Sequence, residues 1–161
     1  MKKGIAYLFA ALMLAALAAC AGKATSGEST TQLPNPFVDC ATMEDAAALA
    51  GFSMTAPDTV AGYPDKKIQA IQDSLIQVIY ASGEDRVLLR KGAGTDDISG
   101  DTNPYKETNT VAVGSRSVTM RGDNGKVSVA VWTEDGHAFA VDVDGAGLAS
   151  ADITALVEAM K

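Results

Sequence analysis

Nothing in this chain spells out a reaction. No cysteine or histidine spacing suits zinc, no glycine fingerprint suits a dinucleotide, and no nucleophile elbow occurs. There is one histidine, His137, so a Cys/His nucleophile pair would need it together with Cys40, and neither carries a family-type local signature. Basic residues are few, 13 against 20 acidic, and they are scattered. A nucleic acid or anionic lipid surface needs a basic patch, so both are excluded as partners. These absences favour a binding role over catalysis.

The N-terminal segment is informative. Lys2-Lys3 precede an apolar stretch from Ile5 to Leu17, followed by Leu17-Ala18-Ala19-Cys20. The lysines hold the amino end at the cytoplasmic face. The apolar run is shorter than the roughly 20 residues a membrane span needs. Small Ala18 and Ala19 suit a signal peptidase, and the Cys20 thiol suits acylation, so residues 1–19 read as a lipoprotein signal peptide with Cys20 as the lipidation site. Two or more acyl chains, at about 0.8 kcal/mol per buried methylene, would anchor the protein stably to the cell membrane, facing outside the cytoplasm. Loss of Lys2 and Lys3 moves the net charge from −7 to about −9. With Cys20 modified, Cys40 has no partner for an intramolecular disulfide. It reads as a small buried hydrophobe or, less simply, as a reactive thiol.

Residues 20–34 are rich in Ala, Ser, Thr and Gly without hydrophobic period, as in a flexible tether reaching about 20 Å. Residues 35–161 suit a single domain. Thr42-Met43-Glu44-Asp45 predicts a capping box opening an alanine-rich helix, and Gly51 stops it. From Lys67 the period becomes two. Ile76, Val78 and Tyr80 share one strand face, Leu75 and Ile79 the other. Further strands are predicted at 86–90, 110–113, 117–121, 127–133 and 138–143, with a long loop over 92–106. Ser150 is expected to cap a last helix presenting Ile153, Leu156, Val157 and Met160. The fold class is therefore α+β: a curved antiparallel sheet of about six to seven strands, with an N-terminal and a C-terminal helix on one face.

Asn124-Gly125 and Asp135-Gly136 predict two type I′ hairpins. They set Trp132 opposite Phe139, Val131 opposite Ala140, Met120 opposite Val129 and Val118 opposite Val131. One face then holds Met120, Val118, Val127, Val129, Val131, Ala138 and Ala140, and the helices are expected there. The other holds Arg121, Thr119, Ser117, Ser128, Ala130, Trp132, Phe139 and Val141. On it, Trp132, Phe139, Arg121, Thr119 and Val141 form the candidate binding face, for an envelope protein, peptide or glycan. A one-residue slip would reverse the faces.

Asp96, Asp97, Asp101 and Asn103 offer hard oxygen ligands for calcium, without EF-hand spacing. They equally suit turn capping without metal. Arg121-Gly122-Asp123 spells an integrin-type tripeptide that also has a turn role, and Lys91-Gly92-Ala93-Gly94-Thr95 lacks phosphate-loop spacing. No cofactor is expected. Two rival readings remain: a carrier holding an apolar ligand in a pocket of Leu75, Ile79, Val87 and Leu89, and a hydrolase converging Asp97, Asp101 and His137.

Several runs carry a family resemblance: Asn35-Pro36-Phe37-Val38-Asp39-Cys40, Ala50-Gly51-Phe52-Ser53-Met54, Arg90-Lys91-Gly92, Asp97-Ile98-Ser99-Gly100-Asp101 and Trp132-Thr133. Together with the terminal helix they resemble Gram-positive lipoproteins of the "domain of unknown function 4367" type, across nearly all of Asn35 to Lys161. The resemblance implies an α+β domain with a curved antiparallel sheet and carries over no catalytic residue. Its likeness to anti-sigma ectodomains implies envelope sensing.

Overall fold

The computed structural model describes residues 34–161. The leader, Cys20 and the tether up to Leu33 lie outside the described residues. Asn35–Lys161 forms one compact unit. Its elements in chain order are β1 (Val38–Cys40), α1 (Met43–Ala50), β2 (Asp65–Ile71), β3 (Leu75–Ser82), β4 (Asp85–Ala93), β5 (Glu107–Val113), β6 (Arg116–Asp123), β7 (Lys126–Glu134), β8 (His137–Asp144) and α2 (Ser150–Ala159).

All eight strands belong to one open antiparallel sheet, ordered β1-β2-β3-β4-β8-β7-β6-β5. Two four-stranded meanders thus meet where β4 pairs with β8, and the 94–106 segment runs from central β4 to the edge strand β5. The α+β architecture agrees with expectation, but the strand count is eight and not six to seven. The extra strand is β1, whose three residues are too short to show a period.

Local chemistry explains the helix boundaries. Thr42 Oγ1 accepts the Asp45 N–H at 3.0 Å while the Asp45 carboxylate accepts the Thr42 N–H at 3.1 Å, the expected capping box. Gly51, at φ 82°, ends α1 by donating to the Ala47 carbonyl. Ser150 is not a cap: Ala149 holds that position without a side-chain hydrogen bond, and the Ser150 hydroxyl lies against the Met120 sulfur instead.

Both helices cover the same sheet face. Ala46 and Ala50 of α1, and Ile153, Leu156 and Val157 of α2, join Ala70, Ile76, Val78, Tyr80, Val87, Leu89, Val118, Met120, Ala130, Trp132, Phe139 and Val141 in one buried core. Met120, Val118 and Val127 lie beneath the helices as expected, but Val129, Val131, Ala138 and Ala140 do not, and Ala130, Trp132, Phe139 and Val141 take their place. The hairpin turns form as predicted, with positive φ at Asn124, Gly125, Asp135 and Gly136. Trp132 lies opposite Phe139 and Val131 opposite Ala140.

In the other hairpin the pairs next to the turn follow the rule, Asp123 with Lys126 and Gly122 with Val127. The register then slips, so that Arg121 faces Val129 and Met120 faces Ala130. Ser128 is the extra residue of this bulge. Gly122 permits it, because a Cβ there would sit 1.8 Å from the Lys126 carbonyl oxygen. One inserted residue turns β6 over relative to β7, bringing Met120 and Val118 to the aromatic face.

Candidate functional site

Trp132 and Phe139 stack at 5.1 Å between ring centroids, but they are only 4% and 2% exposed. Val141 is fully buried beside them. The pair therefore belongs to the core, although both residues also border a surface cleft. The expected face is split: Trp132, Phe139 and Val141 point to the helices, while Arg121 and Thr119 lie on the opposite face by strand alternation. The apolar pocket expected of a carrier is split the same way. Val87 and Leu89 are fully buried beneath the helices, whereas Leu75 and Ile79 alternate to the far side and are half-buried.

That far face carries polar chemistry. A hydrogen-bonded row crosses four strands at right angles. Gln69 Nε2 on β2 donates to Asp39 on β1 at 2.7 Å, Gln77 Nε2 on β3 donates to Gln69 Oε1 at 2.8 Å, and Arg90 Nε on β4 donates to Gln77 Oε1 at 2.8 Å. Both glutamines are buried, so each amide needs these partners. The row ends on the 94–106 segment, where Arg90 Nη1 donates to the carbonyls of Ile98 and Ser99. From β6, Arg121 Nη2 reaches Asp97 at 2.7 Å and the Ser99 hydroxyl at 3.3 Å. Two arginines, one from each meander, thus hold the connection against the sheet as a strap. Ile98 packs on Gly92, where a Cβ would approach Ile98 Cδ1 to 3.3 Å, and Ser99 is almost wholly buried.

The acidic residues of the strap serve its own backbone. The Ser99 N–H donates to Asp97 at 2.8 Å, the Asp101 N–H to the Ser99 hydroxyl at 3.3 Å, and the Asn103 N–H to Asp101 at 2.6 Å. Each is a side-chain-to-backbone turn two residues long. Tyr105 donates its phenol to Asp101 as well. Asp97 and Asp101 thus act in the turn-capping manner, and the described residues contain no group of three or more His, Cys, Asp or Glu that could hold a metal ion.

Burial disfavours the charged form of Asp97 and Asp101, but the hydrogen bonds from Ser99 and Arg121 to the first, and from Tyr105 and Asn103 to the second, outweigh it. Both carboxyls titrate below the ordinary range. His137 stands elsewhere, edge-on to Phe52 at 4.8 Å. It shares no partner with Asp97 or Asp101, so the hydrolase constellation does not form. In the tripeptide Arg121-Gly122-Asp123, Arg121 clamps the strap, Gly122 makes the bulge and Asp123 accepts the Lys106 N–H.

Asp142 went unnoticed in the sequence. It sits on β8 under the strap, 9% exposed, between Leu88 of β4 and Val129 of β7. Burial pushes its carboxyl up to about 6. Arg90 opposes the rise, Asp144 and Asp101 add to it, and Arg121 opposes it. Burial likewise lowers the guanidinium pKa of Arg90, against the pull of Asp142 and Asp144. Arg90, Gln77 and Asp142 had one legible signal: each is a polar residue in step with the alternation of an otherwise apolar strand. Cys40 is half-buried on the helix side, and burial, then Asp45 and Asp39, raise its thiol pKa. That environment suits packing better than nucleophilic chemistry.

Clefts open on either side of the strap. One, of about 270 Å³, is lined by Thr95, Asp96, Asp97, Ser117, Thr119, Val131 and Thr133, and Trp132 and Phe139 also border it. The other, of about 460 Å³, is lined by Asp101, Asn103, Tyr105, Asp123, Ser128 and Asp144. The first is rich in hydroxyls that can donate and accept. No helix among the described residues is long and apolar enough to cross a membrane.

No family model, curated protein or solved structure matches this chain.

Proposed function

We propose that this protein is a lipid-anchored binding domain, without catalytic activity, displayed outside the cytoplasmic membrane. Leu17-Ala18-Ala19-Cys20 behind Lys2-Lys3 and a short apolar run carries this reading. It is supported by the placement of the compact unit, which begins at Asn35, a short tether beyond Cys20. Replacing Cys20 by Ser should abolish palmitate labelling and release the protein from the membrane fraction. Mass spectrometry finding an unmodified Cys20 thiol in the wild-type chain would overturn the anchor.

The ligand site we infer is the hydroxyl-lined cleft beside the strap, which Thr95, Asp96, Ser117, Thr119 and Thr133 line and which Trp132 and Phe139 border. Its lining suits an envelope component, peptide or glycan, recognised through hydrogen bonds along its length. Capture from membranes by wild type and by a Thr119→Val/Thr133→Val variant tests it. A loss of recovery with unchanged stability is expected. Equal recovery by both forms would remove the cleft from consideration. The resemblance to domain of unknown function 4367 lipoproteins fits this reading.

A further inference from the structure

The sheet has two unpaired edges, and they differ. β1 offers three residues, and β5 offers seven. β5 pairs with β6 in unbroken register from Glu107 to Val113, so it carries no bulge. Its sequence, Glu-Thr-Asn-Thr-Val-Ala-Val, holds neither proline nor lysine, and Thr108, Thr110, Val111 and Val113 are β-branched. Residues 107–110 and Ala112 are exposed. An edge strand presents a row of unpaired N–H and C=O groups, and proteins that must not pair there blunt it with lysine, proline, a bulge or a covering element. β5 has none of the first three, and its exposure argues against the fourth.

We propose that β5 docks a second copy of this chain, strand to antiparallel strand about a two-fold axis at Thr110, so that two sheets become one. An isologous contact must be self-complementary, and β5 meets that condition. Centring on Thr110 sets Asn109 against Val111 of the second copy, Thr108 against Ala112, and Glu107 against Val113. Face parity is kept in every pair. Glu107 is the one charged residue of the strand, and the two Glu107 side chains fall at opposite ends. They lie six residues or about 20 Å apart at roughly 3.4 Å each, beyond the ~8 Å over which exposed charges interact at physiological salt. The Glu107 carboxylate is also drawn aside, accepting the Gly125 N–H at 3.1 Å.

Two further features favour the pairing. On the strap side, Thr110 Oγ1 lies 3.4 Å from Thr119 Oγ1. The axis would therefore place four threonines in one row, a favourable cross-strand pairing. A hollow of about 390 Å³ beside the edge is lined by Val111, Met120 and Val127 together with polar Glu107, Asn109 and Lys126, and the second strand would border it. Chain entry does not obstruct the contact, because Pro34 leads into β1 at the opposite end of the eight-stranded sheet. A lone strand pair is smaller than the ~1,200 Å² of a standard stable interface, so association is weak in dilute solution and grows with concentration.

Cysteine placement tests the axis in cells. Across an antiparallel pair the opposed Cα atoms lie about 4.5–5.5 Å apart, within disulfide reach. In a full chain carrying Cys40→Ala, Thr110→Cys should yield an oxidant-dependent dimer on a non-reducing gel. Thr108→Cys should not, because its own counterpart lies four residues out of register, roughly 14 Å away. The Cys40→Ala parent shows any dimer that Cys20 makes. Adding Ala112→Lys should reduce the Thr110 cross-link at least tenfold. Sedimentation of the purified chain over about 1 µM to 1 mM, the span of weak association, should show a rising dimer fraction. Equal cross-linking at Thr108 and Thr110, no cross-link at Thr110, or a monomer at every concentration would each overturn the proposal. The last would leave the edge to an extended segment of a different protein.

Discussion

Replacing Asp142 by asparagine should make the domain more stable at neutral pH, although it removes a charge that faces an arginine. Asp142 is 9% exposed, and burial is the largest cause of its raised pKa. In the unfolded chain it titrates near the ordinary 3.8, and in the folded chain near 6. The folded state therefore holds its proton more tightly. Below pH ~4 both states are protonated and burial of the neutral acid costs little. As pH rises from about 4 through 6, the unfolded chain ionises first and stability falls. The gap, at roughly 1.4 kcal/mol per factor of ten in proton affinity, amounts to about 3 kcal/mol at pH 8. Arg90 loses an attractive neighbour in the variant, which lowers the expected net gain to ~1–3 kcal/mol. Urea unfolding from pH 4 to 8 reads this directly. With a slope of about 1–3 kcal/mol per molar urea, the variant midpoint should rise by about 1 M at pH 8 and converge on wild type near pH 4. A variant less stable than wild type at pH 8, or a difference independent of pH, would refute the reasoning.

Other expectations follow from the same contacts. Trp132→Ala should cost about 3–5 kcal/mol in chemical denaturation, because the indole is buried in the core; a loss under 1 kcal/mol would contradict its burial. Gly122→Ala should destabilise by at least ~2 kcal/mol or alter the β6–β7 register, since the new methyl collides with the Lys126 carbonyl; amide exchange across the hairpin shows which. Arg90→Met removes the donor shared by Gln77, Ile98 and Ser99, at about 2–3 kcal/mol for a buried charge-assisted network. Amide exchange should quicken through residues 97–101 in that variant, and unchanged protection there would show that the strap holds without Arg90.

How far the sequence could be read depended on the range of the interaction. Local chemistry was legible. Thr42 with Asp45 capped α1, Gly51 ended it, and Asn124-Gly125 and Asp135-Gly136 made their turns, because each involves atoms within a few residues of chain. The alternation in β3 correctly separated Ile76, Val78 and Tyr80 from Leu75 and Ile79. The β7–β8 pairs were right for the same reason, since that hairpin runs without interruption from its turn.

What failed was the choice of buried face in β7 and β8, despite their correct register, and the β6–β7 pairing beyond the bulge at Ser128. Gly122 marked the spot, but a glycine in a strand is not by itself a register shift. Only the packing of β6 under α2 and against β7 selects it, since Met120 and Val118 must reach the core that Trp132 and Phe139 already occupy. The strap was likewise read as an open acidic loop, because its holders, Arg90 and Arg121, are supplied by strands that meet only through the β4–β8 pairing. By itself the sequence determined the caps, the turns, the strand alternation and the acidic balance of the chain. Which face of each strand is buried, and where a ligand could reach it, was decided by tertiary structure, because a period of two leaves both faces open until long-range pairing chooses between them.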